Sequence, residues 1–315
     1  MVGMVGMGLW RRWVRQPQSV WLRKAAFQIH LWTGLAIGLY IVVLSVTGSA
    51  LVYRNEMYRV LSTPRPNFNP SASALTTEEL RAAAQRLYPD HEVTRVTDKF
   101  SPRDPTIEIW VEKVGVRQER LFDPYTGKDL GERMTRGERF VLWLVSLHDD
   151  LLFDREGRFW NGIGSAVLTL LAFTGAFIWW PGITKWRRSL KVKWEATWPR
   201  FSWDLHSAFG FWFFAFVALW GVSGIYLSIP DPFTKVNEYF FAEQMELAET
   251  PLDVGLRWMT RLHFGRWRSG SLKAVWATVG FVPVLLFVTG AIMWWNRVVR
   301  TKLRKNGKTS RTELA

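Results

Sequence analysis

The sequence predicts a mainly α-helical membrane protein: a four-transmembrane-helix bundle made of two repeated helical hairpins, with a small α+β insert outside the membrane. Three observations predict this fold class. The apolar residues, 48% of 315 with 20 Trp and 21 Phe, are gathered into four blocks at about 27–53, 160–181, 206–229 and 272–295. Each block reaches the roughly 20 residues that cross a bilayer. The excess of Lys and Arg, which gives a net charge of +14, falls in short segments on one side of those blocks. Four of the five histidines recur at matched positions relative to the blocks.

In chain order, residues 1–24 form a basic cytoplasmic N-terminus with five Lys/Arg and no acid. The first span, 25–53, starts too far along and runs too long for a cleaved signal peptide. Residues 54–145 are the extracytoplasmic insert. Pro64, Pro66 and Pro70 stiffen its start. Thr76 and Glu79 carry a capping-box pattern for a helix reaching about Leu87 and stopping at Pro89. Thr106–Glu112 alternates polar with apolar and reads as a half-buried strand, with Glu119–Phe122 as its partner and a turn at Asp123–Gly127. An interfacial segment and the second span follow at 146–181. A basic cytoplasmic loop, 182–203, carries six Lys/Arg and one acid. The third span is 204–229, the second outer loop 230–270, the fourth span 271–296, and the basic cytoplasmic tail 297–315.

This charge distribution follows the positive-inside rule and puts both termini in the cytoplasm. The outer segments 54–158 and 230–270 together hold 22 basic and 24 acidic residues, so no basic face for nucleic acid remains. The partner implied is the lipid bilayer. With no cysteine there are no disulfides, no thiolate metal site and no covalent haem attachment.

The histidine spacing carries the functional reading. His30 and His206 each lie 18 residues before a glycine, Gly48 and Gly224. His148 and His263 each lie 27 residues before Gly175 and Gly290, and 31 before Trp179 and Trp294. Eighteen residues make five turns of a straight α-helix, which would set His30 and Gly48 on one face about 27 Å apart. Gly34 and Gly38 follow His30, and Gly210 follows His206, at helical intervals. Such a bare stripe admits a flat macrocycle, and it equally suits close helix packing. Spans 1 and 3 run the same way, so His30 and His206 meet near the inner side and His148 and His263 near the outer side. Each pair would then supply two axial imidazoles to one haem iron, giving two b-type haems. Gly48 and Gly224 are expected at the outer pair, Gly175 and Gly290 at the inner one. Met259, one turn before His263, is an alternative outer ligand, and an interfacial or zinc role for the histidines is the rival. His91 has no counterpart and reads as a surface residue. Arg54, Arg187, Arg188, Arg266 and Arg268 read first as headgroup contacts and second as partners of haem propionates. Trp160, Trp179, Trp180, Trp294 and Trp295 read as interface anchors.

His30-x-x-x-Gly34-Leu35-x-x-Gly38 with Thr47-Gly48, His148-Asp149-Asp150-Leu151-Leu152, and Trp179-Trp180-Pro181-Gly182 resemble the PepSY-associated transmembrane family. Asp123–Gly127 is similar to the last turn of a PepSY module, which fits the insert. The resemblance covers roughly residues 22–300 and implies an inner-membrane protein similar to dihaem ferric-siderophore reductases. By position it implies His30 and His206 for one haem, and His148 and His263 for the other. It further implies an oxidoreductase with no catalytic group beyond those ligands. An external donor, a quinol or a cytoplasmic reductase, would supply electrons, and a periplasmic ferric siderophore or other ferric chelate would take them. An inside-negative potential would favour that direction by about 2.3 kcal/mol per charge per 100 mV. The alternative reading is a non-redox PepSY membrane protein that binds peptide or regulates a protease, or an accessory subunit of a transporter or respiratory complex.

Overall fold

The computed structural model describes residues 9–62, 73–97, 106–245 and 249–300. Pro64, Pro66 and Pro70, the tail beyond 300 and the first eight residues lie outside it. The chain divides into two compact units, Met1–Tyr53 with Leu144–Ala315, and Arg54–Trp143.

The first unit is helical. Helices α1 (Trp21–Ala36) and α2 (Gly38–Leu51) form a pair bent by 64° at Ile37. α4 (Arg136–Asp149) begins in the second unit and runs into the first, where α5 (Asp154–Trp179) follows. A second bent pair, α6 (Trp198–Trp212) and α7 (Phe214–Ser228), turns by the same 64° at Phe213. Next are α8 (Pro251–His263), α9 (Gly270–Val279) and α10 (Val282–Trp294), the last two lying within one apolar helix, Gly270–Val299. Two helices, Asp154–Trp179 and Gly270–Val299, are long and apolar enough to cross a membrane, and there are up to four if each bent pair is one span.

The bends correct the straight-helix geometry expected for the first span. His30 and Gly48 sit on different arms of a broken helix, so the five-turn argument and its 27 Å separation do not hold. Gly34 and Gly38 flank Ile37, and an added Cβ at Gly38 would collide with the ring of Phe287 on α10. Packing places α7 along α5, α10 against both α6 and α2, and α1 against α5. Small residues carry these contacts: a Cβ at Gly221 or Gly224 would run into Thr169 or Ser165.

The second unit contains α3 (Thr77–Leu87) and an antiparallel sheet in the order β1-β2-β3-β4, formed by β1 (Glu92–Val96), β2 (Ile107–Lys113), β3 (Val116–Phe122) and β4 (Asp129–Glu132). The capping box is formed: Thr76 Oγ1 accepts from the Glu79 amide, and Glu79 accepts from the Thr76 amide at 2.8 Å. Alternation along β2 turns Ile107, Ile109 and Val111 inward, where they join Leu80, Ala84, Val93 and Phe122 in one core. β3 begins three residues before Glu119. Asp123 closes the following turn by accepting from the Tyr125 amide at 2.9 Å. Beside it, burial raises and Arg120 then lowers the Asp129 carboxyl, with a net downward shift. Burial and that carboxylate push Tyr88 up to about 12.

Candidate functional site

The four repeated histidines meet in two pairs. The rings of His30 on α1 and His206 on α6 have their centroids 6.3 Å apart, nearly perpendicular at 85°. Those of His148, near the end of α4, and His263, the last residue of α8, are also 6.3 Å apart, at 60°. Each pair takes one histidine from each half of the chain. His91 stands apart, edge-on to Tyr88 in the second unit.

Every one of these imidazoles is held through Nδ1 by a hydroxyl that precedes a glycine. His30 Nδ1 lies 3.1 Å from Thr174 Oγ1, and His206 Nδ1 lies 3.0 Å from Thr289 Oγ1. His148 Nδ1 lies 3.0 Å from Thr47 Oγ1, and His263 Nδ1 lies 2.6 Å from Ser223 Oγ. Each hydroxyl donates its single proton to the carbonyl one turn earlier in its own helix: Thr47 to Val43 at 2.8 Å, Thr174 to Leu170 at 2.8 Å, Ser223 to Leu219 at 2.5 Å and Thr289 to Leu285 at 2.7 Å. With that proton committed, the hydroxyl can only accept, so the histidine must carry its hydrogen on Nδ1. At His206 this is doubly fixed, because the Leu286 carbonyl, a pure acceptor, lies 2.9 Å from the same nitrogen. Nε2 is thereby left with its lone pair free on all four rings. Sequence reasoning missed these hydroxyls, although Thr47-Gly48, Thr174-Gly175, Ser223-Gly224 and Thr289-Gly290 repeat with the spacing of the histidines.

The glycines make room for the rings. A Cβ at Gly48 would meet His148 Cε1 at 2.8 Å, one at Gly175 would meet His30 Cε1 at 3.1 Å, and one at Gly290 would meet His206 Cε1 at 3.3 Å. Gly224 instead abuts Ser165. Gly34 and Gly210 are loosely faced, by Leu171 at 3.7 Å and Leu286 at 3.9 Å, and Gly38 receives Phe287. Met259 lies on α8 one turn before His263 and is half-buried.

His148 has a backbone clamp that the sequence did not announce. Asn161 Nδ2 donates to the carbonyls of His148 at 2.8 Å and Asp149 at 2.9 Å, while Tyr40 donates to Asn161 Oδ1 at 2.7 Å. The chain then turns through left-handed backbone at three non-glycine residues, Leu151, Leu152 and Asp154, and Gly157 lies close under the Asp150 carbonyl. Such conformations cost about 1–3 kcal/mol each and persist where the surroundings over-determine them. Burial lowers His148, and burial together with its neighbour pushes His263 down to about 3, so both stay neutral at ordinary pH.

A family model described as the PepSY-associated TM region matches residues 27–255 and 243–297. The chain belongs to that family. The match runs through both histidine pairs, both bent helices and the small sheet, and so makes this a PepSY-associated transmembrane protein. No curated protein matches it.

Proposed function

We propose that the protein is an inner-membrane oxidoreductase that holds two b-type haems, one at each histidine pair, and passes electrons outward to a periplasmic ferric chelate. The observation that carries this reading is the pair geometry: two imidazoles lie 6.3 Å apart in each pair, each with Nδ1 occupied by a hydroxyl, which leaves Nε2 to bind. Two imidazoles on opposite sides of one metal, at about 2.0–2.1 Å per bond and about 1.1 Å from nitrogen to ring centre, have centres roughly 6.3 Å apart. Both pairs have that separation. Among the described residues no three His, Cys, Asp or Glu gather. That favours a metal already held by a macrocycle over a closed zinc site, which needs four protein ligands.

His30 and His206 would hold the inner haem, and His148 and His263 the outer one, in a bundle of two repeated hairpins with both termini cytoplasmic and the insert periplasmic. Bound there, haem would supply a one-electron couple near each membrane face, linking a quinol or cytoplasmic reductase to a ferric siderophore or similar chelate. The chain's own part is positional. Thr174, Thr289, Thr47 and Ser223 fix each imidazole's tautomer and direction, and their lone pairs raise the basicity of Nε2. Gly175, Gly290 and Gly48 let those rings lie against the neighbouring helix.

The test is an absorbance spectrum of detergent-purified protein from haem-replete cells. Dithionite-reduced minus oxidised bands of b haem at two haems per chain, reoxidised by added ferric chelate, are expected. A colourless preparation overturns the reading.

A further inference from the structure

Burying a polar hydrogen without an acceptor is costly, and more so where no water can reach it. Several such atoms gather near one end of the His30–His206 pair. The indole Nε1 of Trp179, Trp180 and Trp294 and the Nε of Arg23 are all buried without a partner among the described residues. Trp179 and Trp294 are counterparts by the same spacing that pairs the histidines, each 31 residues after His148 or His263. Each also stands four residues, one helical turn, beyond the glycine that abuts a ring of the pair, Gly175 against His30 and Gly290 against His206. Arg23 precedes His30 by two turns, and its Nη2 donates to the Ile178 carbonyl at 2.6 Å, next to Trp179. Trp179 stacks on Phe211 of α6 at 4.3 Å. The single carboxylate on α1, α6 or α10 is Asp204, which pairs through Oδ1 with Arg200 at 2.8 Å and leaves Oδ2 buried without a partner among the described residues. The expected lipid-facing role suits Trp160 and Trp295, which are 61% and 53% exposed, and not these indoles.

We propose that Trp179 and Trp294, assisted by Arg23, form a rim that binds two anionic carboxylates, the propionates of the haem at this pair. The inference rests on the functional reading above. Haem b carries two propionates on one edge, and a half-turn that exchanges its two axial faces exchanges those propionates as well. A chain that gives one axial histidine from each half is thus suited to give one indole from each half. The C-terminal end of α5 repels anions through its free carbonyls. Arg23 offsets this by bonding one such carbonyl and adding a full positive charge. Arg187, set aside in the sequence as a headgroup contact, lies over Trp186, and no propionate role is needed for it.

The experiment measures haem loss from the purified holoprotein to excess apomyoglobin, for wild type, Trp179→Phe/Trp294→Phe and the exposed control Trp295→Phe. Each protein is loaded with haem b or, after extraction, with its dimethyl ester. One hydrogen bond to a charged group corresponds to about tenfold in stability. One of the two loss phases is expected to quicken at least tenfold in the double variant with haem b. With the ester, wild type and double variant should match, and Trp295→Phe should behave as wild type throughout. Equal loss rates from haem-loaded wild type and double variant overturn the rim while leaving the functional reading intact. In that case a fall in bound phospholipid phosphate in the double variant would assign the indoles to a lipid headgroup instead. A wild-type protein that takes up no haem overturns the functional reading itself.

Discussion

The two histidine pairs share one hydrogen-bonding device but stand on different supports. His30 and His206 lie within long helices, seven residues before the bends at Ile37 and Phe213, so their backbones are held by the helix on both sides. His148 and His263 lie at the ends of shorter helices, where the last carbonyls lack helical partners. On one side Asn161 supplies them, itself held by the Tyr40 hydroxyl. The positions equivalent by spacing in the second half are Trp276 and Phe216, whose rings meet at 5.5 Å. A polar clamp in one half is replaced by aromatic packing in the other. The comparison teaches that what the two pairs have in common, a hydroxyl beneath each Nδ1, belongs to the chemistry, while the backbone scaffolding can differ.

Five substitutions break or sharpen this contrast. The largest effect is expected for His206→Ala, which should remove half the haem and leave the other half with an unchanged spectrum. Loss of both haems would show that the pairs are not independent. Asn161→Leu orphans two carbonyls and should cost about 2–4 kcal/mol of stability, read by thermal unfolding. It should release haem from the His148–His263 pair only. Ser223→Ala should weaken haem retention by roughly 10–100-fold, because this hydroxyl is the partner recorded for His263. Thr289→Val should do less, since the Leu286 carbonyl still holds His206. The order of these two variants in midpoint potential and haem loss checks the difference directly. Tyr40→Phe keeps Asn161 in place and removes one bond from it, for about 0.5–1.5 kcal/mol in unfolding with full haem content.

Much of this was legible in the residues. Repeat spacing alone paired His30 with His206 and His148 with His263, because equal offsets in two like-oriented helices bring like positions to like depth. Apolar block length found two helices long and apolar enough to cross a membrane and two bent pairs that pass together, and the Thr76–Glu79 pattern found the cap of α3. The bends were not legible, because a broken helix and a straight one share the same apolar composition. Thr47, Thr174, Ser223 and Thr289 repeat as regularly as the histidines, but a hydroxyl before a glycine is common, and only its contact with an imidazole more than 40 positions away, or 40 in the case of Ser223 and His263, marks it. β1 and β4 were missed because Glu92–Val96 and Asp129–Glu132 are short, charged and lean on neighbouring strands for their pairing.

Because each pair draws one histidine from either half of the chain, neither half can assemble a pair while the ribosome is still at work on the other. His30 leaves the ribosome 176 residues ahead of His206, a wait of roughly 9–35 s at ordinary elongation rates. Under the proposed function, a chain that stalls after its first hairpin would hold no haem, so haem capture would mark a chain whose translation has finished.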